Sequence, residues 1–358
     1  MSGERPHGSR AGSHSPEGPL EARFLPPQPE KAFPLADRSL RLVFVMDPVE
    51  AESFSASTTL VLMLEAQRRG HEVLYVAPGD LGVEGGRAAA RTTPVRLFRE
   101  GEGGRTEWGE PMGVILDEEI DVALQRQDPP VDAGYIAATQ ILGTCERTLI
   151  LNRPESLLAY NEKLLALHFR DLMPETAVSR RISDLLGFMD TMGGEMIVKP
   201  LDGKGGEGIF HLVKGERNIS SILEQITAFE SRWVMAQRYL PAVREGDKRI
   251  LLLEGEPLGA VLRVPAAGEV RANFHAGGQA AASAIDGRDR EIIERLAPLI
   301  RAEGLFFVGI DVIGGKLTEI NVTSPTGIQE INRLGGLCLE ERFMDRVEAL
   351  VAEGVRRV

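Results

Sequence analysis

Cysteine is scarce in this chain of 358 residues, which contains only Cys145 and Cys338. The two lie far apart and without metal-ligand spacing, so the sequence favours free thiols over a disulfide framework or a zinc site. No run of 18 uninterrupted apolar residues is present that would span a bilayer. The formal charge of -12 would repel phosphate backbones. We therefore expect a soluble, cytoplasmic protein that has neither nucleic acid nor a membrane as a partner.

Two glycine motifs of nucleotide-binding proteins are also missing. The turn after the first predicted strand, residues 46–49, carries no Gly-x-Gly-x-x-Gly, which argues against a nicotinamide-binding Rossmann domain. The glycine-rich stretch 199–208 does not have the Walker A spacing, which would also lead into a helix. No Ser/His/Asp arrangement surrounds the histidines, so covalent catalysis by a side chain is not expected.

The order of predicted elements divides the chain into three parts. Residues 1–38 are crowded with Pro, Gly, Ser and charges, which predicts a disordered tail. Residues 39–153 alternate strands and helices in the manner of an α/β domain with a βαβ unit. From residue 154 onward, two predicted helices and two strands come first, and the strands from about residue 209 then follow one another mostly without helices between them, which predicts an antiparallel sheet. The fold class is therefore mixed α/β and α+β.

A lysine followed by a glycine-rich turn ends one predicted strand. After Lys199, glycine occupies positions 203, 205, 206 and 208. Glycines let successive backbone N–H groups point at an anion, and the lysine adds a point charge. The loop suits phosphates, although a glycine-rich β-hairpin turn would have the same composition.

Oxygen ligands for a metal ion are predicted on two strands that a Gly-Gly turn joins. Glu319 and Asn321 are two residues apart and so face the same side of a strand, and Asp311 can reach that face across the turn. Oxygen ligands alone suit magnesium that carries a nucleotide's phosphates, and not zinc. The alternative is a solvated hairpin face, but apolar residues alternate cleanly around these positions.

Four arginines stand at the ends of predicted strands or in adjoining loops: Arg126, Arg249, Arg263 and Arg271. Arginine grips carboxylates and phosphates bidentately, although any one of the four would also serve as a surface ion pair. Together with the lysines and the hairpin, they suit a transition state with dispersed negative charge. This combination favours a reaction in which ATP phosphorylates a carboxylate and an amine then attacks the acyl phosphate.

Eight segments carry a resemblance to a known family. They read FVMDP at 44–48, LEAQRRG at 64–70, DPP at 128–130, NEKL at 161–164, KPLDG at 199–203, MAQ at 235–237, GDKR at 246–249 and TEINVTSPT at 318–326. Together they span residues 41 to about 350 and closely resemble the prokaryotic-type glutathione synthetases of the ATP-grasp superfamily.

The resemblance implies an enzyme that condenses γ-glutamylcysteine with glycine while ATP is cleaved to ADP and phosphate. ATP and magnesium or manganese would be its cofactors, and identical subunits would assemble as a tetramer or dimer. It also implies an ATP-grasp fold in three domains. These are a Rossmann-like pre-ATP-grasp domain over 39–153, a small lid domain over 154–239, and a large C-terminal domain over 240–358 that carries the metal hairpin and an antiparallel sheet.

Roles for single residues follow from the same resemblance. Nucleotide binding falls to Lys163, Lys199, Gly203, Gly205, Gly206, Gln237, Tyr239, Leu240 and Asp247. The metal ligands would be Asp311, Glu319 and Asn321. Catalysis falls to Arg249, Arg271 and Asn273. Substrate binding falls to Arg126, Arg263, Gly278, Ser324, Pro325 and Thr326.

Two positions depart from the family pattern, since Gln127 and Gln279 stand where basic residues are expected. Both fall on the substrate side, so another acid or amine, as in a D-alanine or glutamate ligase, stays open as an alternative. A nucleotide-binding regulatory protein without turnover is a second alternative, but it would show a damaged metal hairpin, and all three ligands are intact here. A dehydrogenase is disfavoured by the missing glycine fingerprint.

The substitution Glu319→Gln tests the metal assignment. It removes one charge from the predicted site without changing the size of the side chain, so turnover should fall sharply while the fold stays intact. Steady-state ATP turnover and a circular dichroism spectrum check the two halves of this expectation. Wild-type activity in the variant would contradict the metal assignment.

Overall fold

The computed structural model describes residues 38–101, 103–266, 268–269, 271–274, 277–356 and 358. Apart from Arg38, the tail predicted over residues 1–38 lies outside the described residues. The strands build three sheets. Within the described ranges, no helix has the length and apolar character needed to cross a membrane.

The first sheet begins with the predicted βαβ unit, which is confirmed. Strands β1 (Arg41–Val45) and β2 (Glu72–Val76) pair in parallel, and helix α1 (Thr58–Arg68) connects them. The Ser57 side chain caps the first turn of α1, as expected for serine at this position. The chain leaves the helix at Gly70, whose φ of 83° favours glycine.

The first sheet extends on both sides of β1 and β2. Its remaining strands are β3 (Leu81–Glu84), β4 (Arg87–Glu100), β5 (Gly103–Trp108), β6 (Met112–Ile115), β7 (Val122–Gln125) and β8 (Leu149–Leu151), and its further helices are α2 (Leu116–Glu119) and α3 (Ala133–Leu142). β7 and β8 continue the parallel part, whereas β4 pairs antiparallel with β2, β3, β5 and β6. The 14 residues of β4 are long enough for separate stretches and both edges of the strand to pair with these four partners.

The second sheet has four antiparallel strands in the order β11-β10-β12-β9. They are β9 (Thr176–Ser179), β10 (Glu195–Pro200), β11 (Phe210–Val213) and β12 (Val234–Arg238), preceded by α4 (Pro154–Ala159) and α5 (Glu162–Leu165) and interleaved with α6 (Ile182–Thr191) and α7 (Ile219–Ile226). Leu185 and Leu223 of α6 and α7 pack with Met196 and Val198 of β10 in a core of this sheet's own.

The third sheet has five antiparallel strands, in the order β15-β14-β13-β16-β17. They are β13 (Asp247–Leu253), β14 (Glu256–Val264), β15 (Gln279–Ala282), β16 (Phe307–Ile313) and β17 (Lys316–Asn321), accompanied by α8 (Gly287–Ala302), α9 (Ile328–Gly335) and α10 (Leu339–Ala352). Gly314 and Gly315 join β16 to β17 with φ values of 55° and 73°, the conformation that a two-residue hairpin turn requires. The predicted antiparallel pairing and the tight hairpin are confirmed.

Both faces of the third sheet are covered. One face shares a core with the first sheet, and this core includes Phe44 of β1, Phe307 of β16 and Phe343 of α10. The other face packs against α8 and against Leu157, Leu165 and neighbouring residues up to Met173. The segment 154–173 therefore packs with the third sheet, and the domain division expected from the sequence stays a prediction.

Phe343 is the residue through which this shared core can be tested. Its ring lies 5.2 Å from that of Phe306 and 5.3 Å from that of Phe307, centroid to centroid, and it is 1% exposed. Phe343→Ala leaves a cavity and should lower the free energy of unfolding by about 3–5 kcal/mol. Phe229→Ala is the matched control, because Phe229 is 70% exposed and its loss should cost less than about 0.5 kcal/mol. Urea titration of both variants gives the comparison, and equal losses would contradict it.

Candidate active site

A cleft with two connected halves runs between the second and third sheets. Lys199, Asn273, Asp311 and Glu319 line both halves. Each half is named here after the ligand that the sequence resemblance implies for it. The phosphate half is also lined by Lys163, Gly203, Gly205, Gly206, Arg249, Arg263, Asn321, Ser324, Pro325 and Thr326. The adenine half is also lined by Gln237, Tyr239, Leu240, Asp247 and Arg271.

A row of charged side chains crosses three neighbouring strands on the floor of the cleft. Arg249 of β13 stands opposite Asp311 of β16, which stands opposite Glu319 of β17. Arg249 binds the Asp311 carboxylate bidentately: Nε lies 2.6 Å from Oδ1, and Nη2 lies 3.1 Å from Oδ2. Arg263 of β14 adds a contact of 3.0 Å from Nη2 to Asp311 Oδ2. Burial opposes the charge of Asp311, but the two guanidinium groups outweigh it and hold the pKa of Asp311 below its ordinary value.

The residues predicted as metal ligands fit a magnesium-like ion by their chemistry. Asp311 and Glu319 face each other across the hairpin, and Asn321 lies two residues beyond Glu319, opposite Gly309. The Asn321 amide donates from Nδ2 to Gly309 O at 3.2 Å, which leaves Oδ1 as its ligand atom. In the described part of the chain, no group of three or more His, Cys, Asp or Glu side chains could hold a metal. The hairpin instead offers two carboxylates and an amide, the oxygen set that magnesium takes together with substrate phosphates.

Two buried lysines reach this floor from different elements. Lys163 of α5 places Nζ 3.0 Å from Glu319 Oε1 and 2.9 Å from the Gly203 carbonyl oxygen. Lys199 of β10 donates to the Thr318 carbonyl oxygen at 3.2 Å. Burial lowers the pKa of Lys199; it also opposes the charge of Lys163, but there the Glu319 carboxylate prevails and raises the pKa. Lys163 and Lys199 therefore lie together with the carboxylates of the hairpin, in the arrangement expected of a phosphate site.

The glycine-rich loop forms a wall of the phosphate half. Gly205 and Gly206 have φ values of 59° and 88°, which L side chains rarely adopt. A Cβ atom on Gly206 would lie 2.7 Å from Asn273 Oδ1, so the loop closely approaches the connection between β14 and β15. At its tip, Lys204 donates to Asp128 Oδ2 at 3.1 Å, which ties the loop to the segment after β7. The loop thus closes one side of the space above the lysines.

The adenine half is mostly apolar. Its walls include Ile197 of β10, Leu240 and Ile313 of β16. Among the described residues, the buried Oδ1 of Asp247 has no hydrogen-bond partner, although Oδ2 accepts from Arg263 Nη2 at 2.5 Å. An apolar slot with one orphaned carboxylate oxygen suits a flat ring that carries a hydroxylated sugar.

Two predicted site residues line neither half of the cleft: Arg126 and Gly278. Arg126 is buried behind the wall, where Nη2 donates to the Pro325 carbonyl oxygen at 2.8 Å and Nε donates to Thr59 Oγ1 at 3.2 Å. Burial lowers the pKa of Arg126 to about 10. Gly278 lies beside Asn273, to whose carbonyl oxygen it donates its N–H at 3.1 Å. The departures from the family pattern also lie off the cleft: Gln127 Oε1 is buried without a partner in the described ranges, and Gln279 opens β15.

Several cleft residues have no role in the sequence analysis, notably Glu162, Ile197 and Ile313. Two of them could have been predicted, because residues two apart on a strand face the same side. Ile197 lies two residues before Lys199, and Ile313 lies two residues after Asp311. No such signal exists for Glu162, which reaches the cleft from a short helix.

Solved structures identify the fold of this protein. D-cycloserine synthetase DcsG superposes with a TM-score of 0.60 at 15% identity, over 86% of this chain and 99% of that one. D-alanine–D-alanine ligase from Bacillus anthracis complexed with ATP superposes with a TM-score of 0.53 at 14% identity. The match covers 88% of this chain and 99% of that chain. The fold is therefore that of the ATP-grasp proteins.

Sequence comparison places the chain within that class. The models of the prokaryotic glutathione synthetase N-terminal domain and ATP-grasp domain match residues 40–157 and 162–336. Glutathione synthetase of Gloeobacter violaceus is 47% identical over 86% of this chain and 96% of its own length. The Salmonella typhimurium enzyme of the same name is 42% identical over 88% and 100%. The chain belongs to the prokaryotic glutathione synthetase family.

Gly206→Ala tests the part that the glycine-rich loop plays. The new Cβ would be forced into a left-handed backbone conformation and against Asn273, so the loop should close poorly and the dissociation constant for ATP should rise about tenfold. Gly187→Ala is the matched control, since Gly187 lies in α6 with nothing near its added Cβ and should leave ATP affinity unchanged. Isothermal titration of ATP into both variants decides the matter, and equal affinities would contradict the role of the loop.

Proposed function

We propose that the protein joins glycine to the cysteinyl carboxylate of γ-glutamylcysteine, with cleavage of ATP to ADP and phosphate. The observation that carries this proposal is the convergence of Lys163 and Lys199 with Asp311, Glu319 and Asn321 at one end of an apolar slot. Membership of the prokaryotic glutathione synthetase family supplies the substrates.

The first step activates the acid. An oxygen of the cysteinyl carboxylate attacks the γ-phosphorus of ATP, the bond to the bridging oxygen breaks, and ADP leaves. Lys163 and Lys199 stabilise the charge spread over the transferred phosphoryl oxygens, and Arg249 and Arg263 neutralise the floor beneath it. A bound magnesium ion would be held by Asp311, Glu319 and Asn321 and would neutralise further phosphate charge.

The second step forms the amide. The neutral amine nitrogen of glycine attacks the carbonyl carbon of the acyl phosphate, and the bond from that carbon to the phosphate oxygen breaks. The nitrogen loses a proton, which the released phosphate takes up. Asn273 lines the phosphate half, and Arg271 lies beside Gly206 of the loop that walls this half, so both would orient the phosphate. The glycine-rich loop lies against Asn273, where it would shield the acyl phosphate from water.

The remaining roles divide along the cleft. Gln237, Tyr239 and Leu240 would hold the adenine, and the orphaned oxygen of Asp247 would accept from the ribose. Ser324, Pro325 and Thr326 would contact the dipeptide or glycine, and Arg126 would act by fixing Pro325. We further propose magnesium rather than manganese as the working ion, a cytoplasmic location, and a homotetramer or homodimer.

One observation favours the alternative that the enzyme uses a different acid or amine as substrate. Within the described segments, the buried Oε1 atom of Gln127 has no hydrogen-bond partner. An amide in place of a basic side chain changes the charge next to Asp128, which lines the phosphate half. The activity assay therefore includes a competing substrate pair.

Release of ADP is the measurement that tests the proposed function. With ATP and magnesium, γ-glutamylcysteine plus glycine should release ADP at least about 100-fold faster than D-alanine alone, because a site built to hydrogen-bond one substrate rejects others strongly. Omission of either γ-glutamylcysteine or glycine, or addition of EDTA, should abolish product. Faster release with D-alanine would favour the alternative, and release that needs no acceptor would contradict both.

A further inference from the structure

Glu162 lines the phosphate half of the cleft, yet neither reaction step uses it. It is the first residue of α5, between two neighbours that bind the glycine-rich loop. Asn161 Nδ2 donates to the Leu201 carbonyl oxygen at 2.9 Å, and Lys163 Nζ donates to that of Gly203 at 2.9 Å. Glu162 points the other way, to the chain that leaves the metal hairpin.

One carboxylate oxygen of Glu162 holds that chain. Oε1 accepts hydrogen bonds from Val322 N–H at 2.8 Å, Thr323 N–H at 2.9 Å and the Thr323 hydroxyl at 2.8 Å. From the far side, Asn152 Nδ2 donates to the Val322 carbonyl oxygen at 2.7 Å. The side chains of Glu162 in α5 and of Asn152, directly after β8, therefore fix both the N–H and the C=O of Val322.

The residues on either side of this held segment form the wall of the phosphate half. Asn321 precedes it, and Ser324, Pro325 and Thr326 follow it directly. A displacement of the segment would move the amide ligand and the substrate contacts together. Misplacement of reacting groups by about 1 Å can cost about 100-fold in rate.

We propose that Glu162 is a positioning residue that sets where Asn321 and Ser324 stand in the cleft, through the three hydrogen bonds on Oε1. The inference rests on the proposed function, because the placement matters for that reaction. A carboxylate suits the task, since it is an acceptor only and its charge strengthens bonds from three converging donors. Glutamine would keep an acceptor oxygen but lose the charge.

Steady-state kinetics of Glu162→Gln and Glu162→Ala give the first readout. We expect kcat to fall about tenfold in Glu162→Gln and about 100-fold in Glu162→Ala, with the KM for ATP within about twofold, because the adenine half is untouched. Thr323→Ser keeps the hydroxyl donor and should retain wild-type kcat, whereas Thr323→Val should lose about fivefold.

Asp117→Asn is the matched control. Asp117 also accepts three backbone hydrogen bonds, from Glu146, Arg147 and Thr148 at 2.8, 2.9 and 2.9 Å, but it does not line the cleft. Its variant should lose thermal stability while kcat stays unchanged. A role for Glu162 that is only structural would give the same result in the Glu162 variants and would overturn the proposal.

Hydrogen exchange in the protein without nucleotide or metal gives a second readout. The amides of Val322 and Thr323 should exchange at least about tenfold faster in both Glu162 variants than in the wild type or in Asp117→Asn. If these amides exchange at the wild-type rate in the Glu162 variants while the wild type turns over normally, the positioning role is overturned and the proposed function is not. A wild type that makes no product from γ-glutamylcysteine and glycine would overturn the proposed function, and with it the role of Glu162 in catalysis.

Discussion

Charge compensation on the floor of the cleft is the interaction on which the rest of the site depends. Asp311 and Glu319 lie opposite each other on adjacent strands, where two bare carboxylates would repel. Arg249 and Arg263 bind the first, and Lys163 binds the second. A phosphate or a metal ion that enters this floor therefore meets groups that are already charged and already held in place, which is the preorganisation that phosphoryl transfer needs.

The sheets provide this arrangement because each supplies a different part of it. The third sheet carries the carboxylates and both arginines on one face. The Gly314–Gly315 turn sets the first pairs of β16 and β17, and a register shift between Asp311 and Val312 then brings Asp311 opposite Glu319. The second sheet brings Lys199 and the glycine-rich loop from above. The shared core of the first and third sheets keeps the floor rigid, while the second sheet has a core of its own.

Much of this architecture could be predicted from local signals. The βαβ unit follows from a short apolar strand and a serine cap, and the β16–β17 hairpin follows from a Gly-Gly turn between alternating apolar residues. The long strand β4 could not be recognised, because the glycine, arginine and glutamate residues around it have the composition of an exposed loop. Arg126 is a second case that the sequence could not resolve. Its position at the end of a strand marks it as a candidate site residue, but only the structure shows that its guanidinium lies behind the wall of the cleft and binds Pro325.

The sequence by itself determined the class of chemistry, since lysines, glycines, arginines and oxygen ligands in this order suit only a narrow set of phosphate-dependent reactions, and the family motifs narrow it further. Only the tertiary structure decided which groups meet. Lys163 pairs with Glu319 and Glu162 holds Thr323 across more than 150 positions of chain, as their sequence separations of 156 and 161 residues show. The physical reason is that periodicity and capping act over a few residues, whereas such pairs form only when packed sheets bring distant segments together.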